Sequence, residues 1–328
     1  MMWTIERYTP DKATEWDQFI LESRNGTFLF QRPFMDYHSD RFTDCSLLAF
    51  RKGKLRAVLP ADIKGDQLRS HGGLTYGGWV LPTSTGINGA EELELWRVWM
   101  EWCKKNSINR VLYKPIPYIY PLQPSGEDEY CLFRTHAILK EVNISTTIRL
   151  TQNPGLNKLQ RRHLKTIEKD SFTIKTYRGN IPENSLKSFY EMLEKCLWER
   201  HDTKAVHSLD EISLLSERFP ENISLNLIEN NGKPEAGIWM FETPVCNHCQ
   251  YIATTPEGRA NNLLTPLTIY LIDQATKCGK SYFDFGTSTE DQGKKLNSGL
   301  HRHKSSFGGT GVCLYHWEIE IAKALSAL

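Results

Sequence analysis

Apolar residues recur along this chain with two different periods, and the switching between them lays out its elements. From 249 to 254 the sequence CQYIAT alternates as a strand rich in Tyr and Ile, and Pro256 and Gly258 punctuate a turn over 255–259. Leu263, Leu264, Leu267, Tyr270, Leu271 and Ala275 then fall at helical spacing up to Cys278, where Gly279 stops the helix. A second short strand, 281–285, ends in Asp284-Phe285-Gly286. Strand, loop, helix and parallel strand make a βαβ unit with a right-handed crossover. Such a unit sets a helix N-terminus, a ready anion site, beside the strand ends.

The same reading, taken from the start, predicts a strand over 3–8 and a helix capped by Thr14 that runs to Glu22, with Trp16, Phe19 and Ile20 on one face. Strands over 46–51 and 55–64 turn at 52–54, a glycine-rich stretch follows at 72–78, and a long helix spans 90–106. A short strand at 110–113 leads into the proline-rich 114–121. Hairpin strands, glycine-containing loop, long helix and short strand recur in this order after residue 223. The order predicts two copies of one βαβ-containing unit, with two unrelated α/β pieces as the alternative.

Between the copies the pattern predicts a helix over 127–136, strands over 137–143 and 145–150, and a helix over 155–170. That helix carries Lys158, Arg161, Arg162, Lys165 and Lys169 as a stripe, with His163 beside it. The stripe reads as a solvated face or as a dock for an anionic substrate or RNA backbone. A strand over 173–177 and helices over 185–200 and 208–219 follow, the second with Ser208 as cap and Glu211 at the capping-box position. Strands over 223–229 and 235–243 flank a turn at 230–232.

Length and charge narrow the picture. The 328 residues suggest two domains, divided between 144 and 145, and 40 Lys plus Arg against 39 Asp plus Glu speak against a duplex-DNA binder. Residues 1–12 lack an apolar signal core and no window has the composition of a membrane span, which reads as a cytoplasmic protein with no membrane span. The eight cysteines are scattered, as reduced core thiols are. The one close pair, Cys246-Asn247-His248-Cys249, reads as a hairpin tip. As half of a zinc site it would need His301 and His303 as well, and no metal is expected.

No nucleophile elbow, Walker loop, GxGxxG or HExxH occurs. The polar residues with chemistry to offer are therefore considered singly. His207 is a general base or a member of a capping network. Arg200 and His201 are substrate ligands or cations at a helix end. Asp284, at the end of a strand, is catalytic or a turn carboxylate, and Glu290 is a proton acceptor or an exposed loop side chain. Tyr251 is pocket wall or core.

The strand end Tyr282-Phe283-Asp284-Phe285-Gly286 and the later Leu300…Lys304-Ser305-Ser306-Phe307-Gly308 resemble the second domain of the Fem-type (FemABX) transferases, which are tandem GNAT-fold proteins. Over its whole length the chain is similar to bacterial GNAT-family acyltransferases, through 113–120, Ala205-Val206-His207-Ser208, 218–223 and 285–291. The resemblance implies an α/β fold of two tandem GNAT-like (acyl-CoA N-acyltransferase) domains, 1–144 and 145–328, with mixed sheets flanked by helices. It implies direct transfer of an acyl group from a thioester or ester donor, such as acetyl-CoA, to an amine or hydroxyl acceptor. A nucleotide-linked sugar or cell-surface glycan precursor is the acceptor it suggests. Gly258, Arg259, Asn261 and Asn262 would then form the donor-phosphate loop, with one glycine where the family pattern has two. Lys304 would stand by the substrate's phosphates. Two other readings stay open: an aminoacyl-tRNA-dependent transferase acting on a peptidoglycan precursor, with tRNA as partner, and an inactive GNAT-fold binding module.

Overall fold

Two helices, Gly89–Lys105 and Leu264–Lys277, each join two parallel strands, and the two compact units of the chain are built around them. The computed structural model describes residues 3–83, 87–152, 155, 158–167 and 172–328, with the side chains of 159, 163, 165–167, 200 and 201 outside that description. One unit is formed by Met1–Ile144, Thr289–Leu296 and Val312–Leu328, the other by Ser145–Ser288 and Asn297–Gly311. The expected division assigned everything after 144 to the second domain. The chain instead returns to the first unit twice, because the end of strand Thr310–Glu320 pairs with Arg110–Tyr113, Trp317 opposite Tyr113 and Glu320 opposite Arg110.

In the first unit, Trp3–Arg7, Leu47–Arg51 and Lys54–Leu59 form an antiparallel sheet. Its hairpin turns through Lys52 and Gly53, both in the left-handed region, as a two-residue hairpin loop requires. A second sheet runs from Thr43–Asp44 through Asp62–Lys64, Gln67–Arg69 and Arg110–Tyr113 to residues of Thr310–Glu320. Asn88 starts helix Gly89–Lys105 with a full capping box to Glu91. The helix buries Leu95, Trp96, Trp99, Met100 and Cys103 in one core with Trp79 and Tyr113. Trp99 meets Trp79 and Trp96 edge to face, the arrangement aromatic quadrupoles favour.

In the second unit the strand order is 145–149, Tyr282–Thr287, Cys246–Thr254, Lys233–Glu242, Ile223–Asn230 and Phe172–Tyr177. The pairing of Cys246–Thr254 with Tyr282–Thr287 is parallel and the others are antiparallel. Alternation sends Ala236, Ile238 and Met240 to a core with Leu263, Leu267 and Phe283 under helix Leu264–Lys277. Trp239 goes to the opposite face, where its indole N–H reaches Ser216 Oγ of helix Leu209–Arg218 at 3.3 Å.

Several elements differ from expectation. The strands expected at 137–143 and 145–150 are one strand, Ile138–Arg149. Thr14 lies inside helix Ala13–Glu22, which a 3₁₀ turn at Pro10–Lys12 already precedes. Cys246–Thr254 begins at the cysteine pair, so those residues are strand and not hairpin tip: Thr243 Oγ1 accepts the Cys246 N–H at 2.9 Å and tightens the turn to 243–245. The basic helix is Lys158–Ile167. Lys169 lies outside the described residues, as do the side chains of His163 and Lys165. Among the described residues, no helix is long and apolar enough to cross a membrane.

Candidate functional site

The parallel ladder of the second unit has three rungs, Cys246 opposite Tyr282, Asn247 opposite Phe283 and His248 opposite Asp284, and there it ends. Both strands continue, to Thr254 and Thr287. The neighbouring ladders are irregular at this level too. A register shift between Trp239 and Met240 bends Cys246–Thr254 away from regular pairing with Lys233–Glu242. Another, between Asp284 and Thr287, interrupts pairing with 145–149, and Gly286 takes a φ of 74° there.

A buried carboxylate closes the last rung. Asp284 is 1% exposed, and its Oδ1 accepts hydrogen bonds from the hydroxyls of Ser145 and of Thr147, the latter at 2.7 Å. Its Oδ2 lies 2.6 Å from His248 Nδ1. Burial alone would raise this carboxyl. The hydrogen bond from His248, its charge when the ring is protonated, and the two hydroxyls outweigh burial and hold Asp284 below the ordinary carboxylate range.

Past the rung, the strand-end carbonyls are held by Lys304, which arrives from helix Ser298–Ser305. Its Nζ donates to Gly286 O at 2.9 Å and Thr287 O at 2.7 Å. Burial lowers its pKa to about 8, against the pull of the Asp284 charge and Cys249. Asp284, His248 and Lys304 thus gather at one strand end.

A second pair involves the other face. His207, buried ahead of the Ser208 cap, has Nδ1 2.8 Å from Tyr251 Oη, which also accepts the His207 backbone N–H at 3.3 Å. Tyr251 stacks on Trp239 with ring centroids 5.7 Å apart. Burial pushes the Tyr251 phenol up to about 12, with the backbones of His207 and Val206 pulling the other way.

The residues expected in the donor loop lie just after strand Cys246–Thr254. Gly258 and Arg259 belong to the short helix Pro256–Ala260, capped by Thr255, whose Oγ1 already accepts the Gly258 N–H at 2.9 Å. A Cβ at Gly258 would lie 2.1 Å from Glu235 O, so packing against strand Lys233–Glu242 demands the glycine. Arg259, Asn261 and Asn262 are exposed. Glu290 belongs to the first unit, in a two-residue hairpin where it pairs with Lys295 at 3.0 Å, so it is not in the compact unit that holds Asp284. Arg200 and His201 end helix Glu183–His201, with side chains outside the described residues. Cys246 and Cys249 are buried thiols, and among the described residues no group of three or more His, Cys, Asp or Glu is placed to hold a metal.

His248 is the residue that sequence reasoning missed, having read it only as part of a hairpin tip between two cysteines. Its partner is 36 positions away, and the parallel register alone brings the two together.

No family model matches the chain, and no curated protein is similar to it in sequence. Solved structures are similar in fold. A FemX structure superposes with a TM-score of 0.66 at 13% identity, covering 95% of this chain and 96% of its own. L-PGS from Bacillus licheniformis superposes with a TM-score of 0.62 at 11% identity, covering 98% of this chain and 97% of its own. A tandem GNAT protein from the clavulanic acid biosynthesis pathway gives 0.53 at 10% identity, covering 97% and 98%. The chain has the tandem GNAT fold. At these identities the likeness speaks for the fold, and the chemistry rests on the residues of this chain.

Proposed function

We propose that this tandem GNAT protein is an acyltransferase, moving an acyl group from a thioester or ester donor to an amine or hydroxyl at the ladder end of its second unit. The observation that carries the reading is the parallel ladder that stops at His248 and Asp284 while both strands run on, with the buried Lys304 ammonium at its edge. Backbone groups released from a ladder can pair with an amide-bearing donor as an added strand would. A fixed cation and strand N–H groups stabilise the negative charge that develops on the acyl oxygen. The acceptor we favour is a nucleotide-linked sugar or another cell-envelope glycan precursor, met in the cytoplasm.

A second reading has a specific observation behind it. Lys158, Arg161 and Arg162 are exposed on helix Lys158–Ile167, and Gln160 of the same helix bonds Ser306 O at 3.1 Å, next to the Lys304 helix. This basic surface favours an aminoacyl-tRNA as the ester donor, with a peptidoglycan precursor as acceptor.

Calorimetric titration with acetyl-CoA and with tRNA at two salt concentrations separates the donors. Saturable heat with acetyl-CoA supports a thioester donor. Salt-sensitive tRNA binding without it supports the aminoacyl reading. No heat with either donor contradicts both, in favour of a binding module.

A further inference from the structure

We infer that His248 is the proton acceptor of the transfer reaction and that Asp284 is the residue that positions it. The inference rests on the acyl-transfer reading above and names the base within it.

The assignment begins with hydrogen-bond roles. Ser145 and Thr147 both turn their hydroxyls to Asp284 Oδ1, and an ionised carboxylate can only accept. The proton in the 2.6 Å contact between Asp284 Oδ2 and His248 Nδ1 therefore sits on the imidazole. That makes Nδ1 the N–H of the neutral ring and Nε2 its basic nitrogen. The strand Ile138–Arg149, which supplies both hydroxyls and sets Thr147 in the rung opposite Asp284, is thus part of what sets the tautomer.

Placement agrees with the role. A Cβ at Gly286 would lie 3.4 Å from His248 Cε1, the carbon between the two ring nitrogens, so the imidazole lies against the backbone just past the last rung. The side chain of His248 is 14% exposed and that of Asp284 2%, so the dyad has a sealed anionic end and an accessible imidazole end.

His207, the buried histidine of the same unit, lacks this support. His207 Nδ1 meets the phenol of Tyr251, whose proton burial holds more tightly than in water. A neutral phenol offers no charge to stabilise an imidazolium, whereas the Asp284 carboxylate does.

The step balances. The acceptor's nitrogen or oxygen attacks the acyl carbon, and the new bond forms as its proton passes to His248 Nε2. The bond from the acyl carbon to the donor sulfur or oxygen then breaks. His248 returns the proton to the leaving thiolate or alkoxide and regains its starting tautomer.

Two measurements on the full chain test this. Nitrogen-15 NMR of the histidine rings reads the tautomer directly, with His248→Gln used to assign the signal. We expect the Nδ1–H form in the parent and its loss in Asp284→Asn, while the Nε2–H form in the parent overturns the inference. Single-turnover assays with acetyl-CoA and hydroxylamine, and with aminoacyl-tRNA and hydroxylamine, read the chemistry. In His248→Gln and Asp284→Asn we expect the rate to fall on the order of 100-fold or more, with donor Kd and melting temperature close to the parent. A rate kept within threefold in His248→Gln, or a larger loss in His207→Gln than in His248→Gln, overturns it. A parent chain that turns over neither donor overturns the acyl-transfer reading itself, whichever tautomer is found, and this role with it.

Discussion

In the first unit the chain leaving Arg69 folds straight back over its own ladder end, whereas in the second the chain leaving His248 runs on as strand to Thr254. The first parallel ladder ends at Arg69 opposite Leu112. Ser70 Oγ then accepts the Lys114 N–H at 2.8 Å, and Gly77 N donates to Lys114 O at 2.9 Å. Lys114 Nζ donates to Leu74 O within the same loop. Glycine is required for this closure: a Cβ at Gly77 would sit 2.2 Å from Ser70 O, and one at Gly73 2.4 Å from His38 Nε2. The second unit instead holds the carbonyls of Gly286 and Thr287 with one ammonium group from helix Ser298–Ser305. Each lysine is held near pKa 8 by burial, Lys114 against the charge of Asp62 and Lys304 against that of Asp284. Two copies of one βαβ plan thus end their ladders with a buried lysine. In one the lysine locks a loop in place, and in the other it stands beside a histidine–aspartate pair.

The largest effect expected on this contrast comes from the glycine loop. Gly77→Val pushes a side chain into backbone and should destabilise the first unit by about 3 kcal/mol in urea unfolding. An effect under 1 kcal/mol would mean that the loop is not a tight plug. Lys304→Met removes the donor to Gly286 O and Thr287 O, and should lower stability by about 2 kcal/mol while weakening donor binding. The same unfolding curves read that loss.

One pH effect belongs to the first unit. Burial, aided by the charges of Asp128 and Glu127, raises Glu92 from 4.5 to about 8. An acid with a folded pKa above its unfolded value holds its proton more tightly when folded, so its contribution is full at low pH and declines as pH climbs from 4.5 towards 8. Glu92→Gln should therefore raise the melting temperature at pH 8.5, by about 4 °C, and leave it nearly unchanged at pH 5. Equal shifts at both pH values would refute this origin. The smallest effects belong to the helix caps, which the units share. Asn88→Ala and Ser208→Ala should each cost about 1 kcal/mol, measured by urea unfolding, and a clear inequality would show that one helix is held by its packing instead.

What could be read from the chain followed the range of the interactions. The capping box of Ser208 and Glu211 is written three residues apart, and the βαβ order is a matter of period; both are present in the fold. The packing demand on Gly258 was not legible, because its clash with Glu235 O is a tertiary contact with no local mark. Glu290 and Lys304 are 14 positions apart in sequence, but the chain crosses between units at 288/289 and again at 296/297, so the two belong to different units. The pairing of His248 with Asp284 escaped notice for a related reason. A one-residue change of register would turn them to opposite faces, and nothing in either segment fixes that register by itself.

Hydrogen–deuterium exchange with and without saturating acetyl-CoA tests the contrast between the two ladder ends most directly. The account expects new protection over 249–254 and 285–288, with exchange over 70–78 unchanged. Protection over 70–78, alone or to the same degree, would contradict it and place the donor in the unit whose ladder end its own loop closes.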